Sequence, residues 1–252
     1  MEKDGYILPV GYKLKSDSRT YTIEKKLGQG GYGITYLAYF EKEVKVNVQG
    51  NLGDGFDEYT TQLIRVVCKE FYIKELSSRE ENTATVTFGS STAQRQLIES
   101  FKQKMRKEAK FLSQLVHPNI ARVSEVFEAN NTVYIIMQYI RGESLLEKIR
   151  RLKHLSVQDA VRYITQICDA INEVHRNRIL HLDIKPSNIL FDLNDNVKLI
   201  DFGVSKQYNE KHEETSHSLL GQSAGFAPME QYQQGGLTTF CPPTDIYALG
   251  AT

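Results

Sequence analysis

Two periodicities divide the chain. Residues 21–27, Tyr-Thr-Ile-Glu-Lys-Lys-Leu, alternate apolar and polar positions, the period-2 pattern of a half-buried strand. Residues 34–40 are rich in β-branched and aromatic side chains and predict a second strand. The two meet in a glycine-rich turn, Gly28-Gln29-Gly30-Gly31-Tyr32-Gly33. Residues 41–62 hold Gly50, Gly53, Gly55 and several acids, and are expected to form a long hairpin excursion or loop. A third strand is expected over 63–72, and a polar, Ser/Thr-rich mobile loop over 76–96. Phe101, Met105, Leu112 and Leu115 then recur at near-helical spacing, until His117-Pro118-Asn119 stops the helix. Two further strands are expected over 121–127 and 133–140. After Arg141-Gly142 the period turns helical. Ser156 with Asp159 reads as a weak capping box, and Val157, Val161, Ile164, Cys168 and Ile171 as the buried stripe of a helix. The pattern therefore predicts a partly ordered lead-in over 1–20, a β-rich part over 21–140 and a helical part over 141–252.

Composition narrows the classes. A chain of 252 residues can bury one large core or two smaller ones. With 40% hydrophobic and 25% charged residues it is globular rather than disordered. Lys+Arg and Asp+Glu balance at 31 each, so no basic field points to nucleic acid. Cys68, Cys168 and Cys241 stand far apart with no CxxC, the pattern of free thiols in a reducing compartment rather than of a zinc site or disulfide framework. The N-terminus lacks the apolar core of a signal peptide, and no apolar run approaches membrane-spanning length. A soluble, cytoplasmic protein with no membrane segment in this chain is expected.

The candidate chemistry begins at Gly28-x-Gly30-x-x-Gly33. This spacing also marks dinucleotide-binding folds, where the glycines open a helix. Here they are followed by Ile34-Thr35-Tyr36-Leu37-Ala38, a strand. A hairpin whose turn lacks side chains can lie over a triphosphate and bring backbone N–H groups to its oxygens.

Further motifs follow in order. They are Val66-Val67-Cys68-Lys69, Lys107-Glu108-Ala109, His181-Leu182-Asp183-Ile184-Lys185-Pro186-Ser187-Asn188, Asp201-Phe202-Gly203, Ala227-Pro228-Met229-Glu230, and Asp245-Ile246-Tyr247-Ala248-Leu249-Gly250. With these, from about residue 21 to its last residue, the chain resembles the eukaryotic-like (Hanks-type) protein kinase family, and most of all its bacterial Ser/Thr members.

The resemblance implies an α+β, two-lobed protein-kinase-like fold, with a β-rich N-lobe carrying one main helix and a mostly helical C-lobe. It implies ATP and Mg²⁺ as cofactors and a protein substrate offering a Ser or Thr hydroxyl. Lys69 would hold the α- and β-phosphates, aimed by Glu108. Asp183 would orient the substrate hydroxyl and accept its proton, and Lys185 would steady the transferring phosphoryl group. Asn188 and Asp201, with an amide oxygen and a carboxylate, would bind Mg²⁺. Thr35 and Val67 would lie above the adenine, Leu190 below it and Met137 behind it, with Gln138, Tyr139 and Ile140 as the connecting hinge. Ser223 would tie the substrate-binding loop to Asp183, while His181 is expected in the core under Phe202.

Three departures carry information. Thr35 and Val67 replace the family's usual Val and Ala, which bears on fine ATP affinity. Leu182 stands where regulated kinases carry Arg, so phosphorylation at Thr215, Ser216 or Ser218 is not expected to switch the enzyme by the usual charge pairing. The chain stops just inside a helix near Asp245, which reads as a truncated C-lobe and leaves Glu230 without its usual partner. A nucleotide-binding pseudokinase scaffold is disfavoured because Lys69, Glu108, Asp183, Asn188 and Asp201 are all present. A small-molecule phosphotransferase is disfavoured by Lys185 and the segment ending at Glu230.

Overall fold

The computed structural model describes residues 6–30, 33–49, 55–80, 83–89, 91–202, 205–207, 223–232 and 240–252, without the side chains of 47–49, 55–58, 104, 108, 206 and 207. The chain forms two compact units, Met1–Glu99 with Glu125–Tyr139, and Ser100–Ser124 with Ile140–Thr252.

The first unit is built on β1 (Lys13–Lys15), β2 (Thr20–Gly30), β3 (Gly33–Gln49) and β4 (Gly55–Phe71). The short strands β5 (Ser77–Arg79) and β6 (Val86–Phe88) follow; helix α1 (Thr92–Leu112) begins in this unit and runs on in the second, and β7 (Val123–Ala129) and β8 (Thr132–Gln138) come after it. A single six-stranded sheet runs in the order β1-β2-β3-β4-β8-β7. Register assigns its faces. Tyr36 pairs with Cys68 and Cys68 with Ile136, while Ala38 pairs with Val66. These residues share one face, and all are buried with Ile34 and Tyr134 in the core of this unit. Burying that face is the main stabilising contribution, because apolar area removed from water is worth about 25 cal/mol per Å².

The excursion over 41–62 is a ribbon. β3 and β4 stay paired from Gly33↔Phe71 to Gln49↔Gly55. The lead-in is part of the fold, since β1 pairs with β2 and Leu8 and Leu14 join the core. Lys-Leu-Lys is too short an alternation to announce a strand on its own.

The loop expected over 76–96 is largely structured instead. β5 pairs with β6, and α1 starts at Thr92 rather than near Phe101. The cause is a distant partner. Arg79 places a guanidinium nitrogen 2.7 Å from Glu70 on β4, with the two side chains 2% and 0% exposed. It also donates to the carbonyls of Tyr6 at 2.8 Å and Ala84 at 2.5 Å. Glu70 further accepts from the hydroxyls of Tyr36 at 2.9 Å and Tyr134 at 2.6 Å. Burial, followed by the charge of Glu70, pushes both tyrosine pKa values far above the ordinary phenol value, so both remain donors. Three donors thus converge on the buried Glu70 carboxylate, and the buried Arg79 guanidinium donates to two carbonyls besides, a network that polar local sequence does not reveal.

The second unit contains α2 (Leu145–Leu152), α3 (Val157–Arg176), β9 (Ile179–Leu180), β10 (Ile189–Phe191), β11 (Val197–Leu199), β12 (Lys206–Gln207) and α4 (Pro242–Gly250). A full capping box starts α2, with Ser144 Oγ accepting from Glu147 N–H at 3.2 Å and Glu147 accepting from Ser144 N–H at 2.7 Å. At α3, Ser156 Oγ accepts from Asp159 N–H at 3.0 Å.

The face that α3 buries differs from the expected one. Tyr163, Ile167, Ala170, Ile171 and Val174 are buried, whereas Val157 and Val161 are 82% and 57% exposed and Ile164 and Cys168 are also exposed. Two apolar stripes share this helix, separated by less than one turn, and Ile171 was the member of the expected stripe that lies on the buried side. Packing against β9 and β11 selects the stripe with the aromatic ring and the small Ala170. Beneath this helix Asp195, in the β10–β11 turn, joins three elements. Its carboxylate pairs with Lys148 of α2 and with Arg162 of α3 at 2.5 Å, and accepts from Tyr163 at 2.8 Å. Burial alone would raise its pKa, but the hydrogen bonds from Lys148, Arg162 and Tyr163 outweigh it and hold the carboxyl at about 2.

Candidate active site

In the first unit the sheet register collects the expected nucleotide residues on one face. Thr35 pairs with Lys69, and Val67 pairs with both Leu37 and Met137. This is the face opposite the core, and Thr35, Val67, Lys69 and Met137 are partly exposed on it. Lys69 and Glu70 are neighbours on a strand, so they point to opposite faces. Lys69 therefore stands on the open face while its neighbour is locked in the buried network. Gln138 ends β8, Tyr139 follows it, and Ile140 begins the second unit as a buried residue. Glu108 lies on α1, with its side chain outside the described residues.

The glycines of the β2–β3 hairpin differ in what demands them. A Cβ at Gly33 would sit 2.5 Å from the carbonyl oxygen of Glu70, so packing of the sheet excludes a side chain there. Among the described residues a Cβ at Gly28 or Gly30 would meet nothing within 4 Å, and neither has a positive φ. Neither internal packing nor backbone conformation accounts for those two.

In the second unit the residues of the 181–188 motif expected to be catalytic converge. Lys185 Nζ lies 3.0 Å from Oδ1 and 2.8 Å from Oδ2 of Asp183. It also donates to Ser223 Oγ at 2.7 Å, and Ser223 Oγ donates to Asp183 Oδ1 at 2.5 Å. Asn188 Nδ2 donates to both the backbone oxygen and Oδ2 of Asp183, each at 2.8 Å. Both carboxylate oxygens are thus held by directed donors, and Asp183 remains 13% exposed at its side chain. With its nitrogen committed, Asn188 has its Oδ1 end left to accept, which suits a hard cation. The β10–β11 hairpin brings Asn188 and Asp201 to the same end, because Ile200 N–H donates to the Asn188 carbonyl at 2.9 Å. Asp201 has φ +60°, a left-handed conformation that costs energy for a non-glycine residue. Leu190, on β10 between Asn188 and Phe191, is partly exposed.

His181 is fully buried, and its ring meets Phe202 at 4.6 Å between centroids, tilted by 56° rather than stacked. Its Nδ1 accepts from Asp183 N–H at 3.3 Å and its Nε2 donates to the Ile200 carbonyl at 3.1 Å, which assigns the Nε2–H tautomer. This core histidine sets the entry to the loop. Leu182 is 3% exposed in an apolar cluster with Leu180 and Phe240. Thr215, Ser216 and Ser218 lie outside the described residues.

Two positioning residues, Asp245 and Gln231, had no individual assignment from the sequence. Asp245, in the first turn of α4 and fully buried, accepts from His181 N–H and Leu182 N–H at 2.8 Å each, and from His175 Nε2 at 2.8 Å. Gln231, 2% exposed, donates from Nε2 to the Leu182 carbonyl at 2.9 Å. Side chains from two distant segments therefore hold both backbone polar groups of Leu182, whose φ is +62°. The available signal was an acid in the first turn of an otherwise apolar helix, which must be buried with a partner or not at all. Glu230, expected without its usual partner, accepts from Thr244 Oγ1 at 3.0 Å.

A solved structure, the PpkA-294 apo form, shares the fold with a TM-score of 0.67 at 24% identity, covering 97% of this chain and 76% of that one. The serine/threonine-protein kinase PrkC of Bacillus subtilis is 37% identical over 150 residues, 60% of this chain and 22% of that protein. A probable serine/threonine-protein kinase of Clostridium acetobutylicum is 36% identical over 233 residues, 92% of this chain and 29% of that protein. The chain spans less than a third of the length of these two relatives. The protein kinase domain family matches residues 78–252, which hold the loop from His181 to Asn188 and its buried anchors, and the chain belongs to that family.

Proposed function

We propose that this protein transfers the γ-phosphoryl group of ATP, with Mg²⁺, to serine and threonine hydroxyls of other proteins. The observation that carries this reading is the cluster of Asp183, Lys185, Asn188 and Ser223, in which one carboxylate is oriented by three side chains. Phosphoryl transfer asks the protein chiefly for positioning and for neutralising charge. Asp183 orients the acceptor hydroxyl and takes its proton as the new P–O bond forms and the bond from the γ-phosphorus to the bridging oxygen breaks, with ADP as the leaving group. Lys185, released from Asp183 as the hydroxyl arrives, turns its charge to the transferring group. Asn188 and Asp201 would hold Mg²⁺, which supplies charge neutralisation between the phosphates. Lys69 would take the α- and β-phosphates, aimed by Glu108; Thr35 and Val67 would lie above the base, Leu190 below it and Met137 behind it, with Gln138, Tyr139 and Ile140 as the connecting hinge. The proposed setting is the cytoplasm, where Cys68, Cys168 and Cys241 stay as free thiols.

Gly28 and Gly30 support the nucleotide half. Their bareness has no internal cause, and a triphosphate approached by backbone N–H groups would supply one. Gly30→Ala tests this. Its Cβ meets nothing among the described residues, so stability should be unchanged or raised by up to about 1 kcal/mol. The KM for ATP should rise about tenfold, equivalent to about 1.4 kcal/mol of lost binding. Unchanged stability with an unchanged KM would show that the hairpin does not approach the phosphates.

A further inference from the structure

Residues 6–12 belong to no kinase motif, yet they reach the glycine-rich hairpin. We infer that Tyr6 is a positioning residue for that hairpin, holding its first arm through Gln29 and thereby setting how firmly the turn retains ATP. The functional half of this inference rests on the kinase reading above; the structural half does not.

Gly28 and Gly30 offer no side chain, so Gln29 between them carries the handle by which this arm can be held. The Tyr6 hydroxyl donates to Gln29 Oε1 at 3.1 Å. Lys26 Nζ donates to the same oxygen at 3.2 Å, lies 3.5 Å from the Tyr6 hydroxyl and stands 5.2 Å from the centroid of its ring. Two donors therefore close around one amide oxygen and touch each other. A cation over the ring face adds attraction even at an exposed site.

Tyr6 can serve as an anchor because it is itself fixed from behind. Its carbonyl accepts from Arg79 Nε at 2.8 Å, and Arg79 is the buried partner of Glu70. Its ring stacks on Tyr72 at 6.0 Å and 29°. Two residues on, Leu8 N–H donates to the Tyr36 hydroxyl at 3.1 Å, and the Leu8 side chain is in the core. The hairpin arm is thus tied, through Tyr6 and Arg79, to the residue next to Lys69. Backbone on either side of the expected triphosphate shares one buried anchor.

Tyr6→Phe is the decisive variant, because it keeps the ring stack and the Arg79 bond and removes only the hydroxyl. In the full-length protein, amide hydrogen exchange at residues 28–33 should accelerate. The KM for ATP should rise about threefold to tenfold with kcat within about twofold, since a hydrogen bond of ordinary net worth is lost from binding and none from the chemical step. Gln29→Ala should have the same effect, and the double variant should add nothing further. Unchanged exchange and KM in Tyr6→Phe would overturn the inference, as would accelerated exchange with an unmoved KM. Absence of any phosphoryl transfer by the wild-type protein would instead remove the kinase reading. Unaltered nucleotide dissociation constants in both variants would then overturn the inference as well.

Discussion

Asp183→Asn should leave the fold and nucleotide affinity intact and lower turnover by about 10²–10⁴, the range for a positioned general base. The substitution is isosteric, so the loop keeps its course between Asp245 and Gln231. What changes is the donor and acceptor pattern. Asp183 now accepts from Ser223 and Lys185 at Oδ1 and from Asn188 and Lys185 at Oδ2. An amide retains one acceptor oxygen and turns an N–H₂ group toward a donor, so one of these partners is repelled and the substrate proton has no acceptor. Turnover and nucleotide dissociation constants measured on the same preparation separate the two effects. Near-wild-type turnover would take Asp183 out of the role.

Arg79→Ala should cost about 3–5 kcal/mol of stability, because it leaves a buried charge without its partner. Glu70 is fully buried and would keep only the Tyr36 and Tyr134 hydroxyls, while the carbonyls of Tyr6 and Ala84 would lose a donor. The loss is a large share of the 5–15 kcal/mol that holds an ordinary domain together. Arg79→Lys should fall between, since a point charge can pair with Glu70 but cannot fork to the two carbonyls. Denaturant unfolding of the three proteins measures this. A cost below about 1 kcal/mol for Arg79→Ala would show that the pair is not buried as described.

How much of this was legible in the sequence follows from the range over which each interaction acts. Lys69, Asp183, Lys185, Asn188 and Asp201 are proposed from short motifs, through resemblance to the protein kinase family. The β2–β3 hairpin and β8 could be read because their alternation is local. The β5–β6 pair could not, because Arg79 and Glu70 make a core contact only after β4 and β5 have met. The face of α3 was misassigned because two apolar stripes fit the same period, and only packing partners decide between them. Asp245 and Gln231 act on Leu182 across 63 and 49 residues, and no local pattern encodes such a bond. Tyr6 stood in a segment read as a lead-in, yet its carbonyl and ring are placed by residues more than sixty positions away.

The central claim is transfer of a phosphoryl group to protein hydroxyls, and one assay addresses it. The full-length protein is incubated with Mg²⁺, γ-labelled ATP and a generic protein substrate, and the labelled amino acids are identified, with Lys69→Ala as the comparison. Label is expected on serine and threonine of the protein, and its loss in Lys69→Ala. Nucleotide binding by the wild type with no label on protein, or label on a small molecule alone, would contradict the assignment.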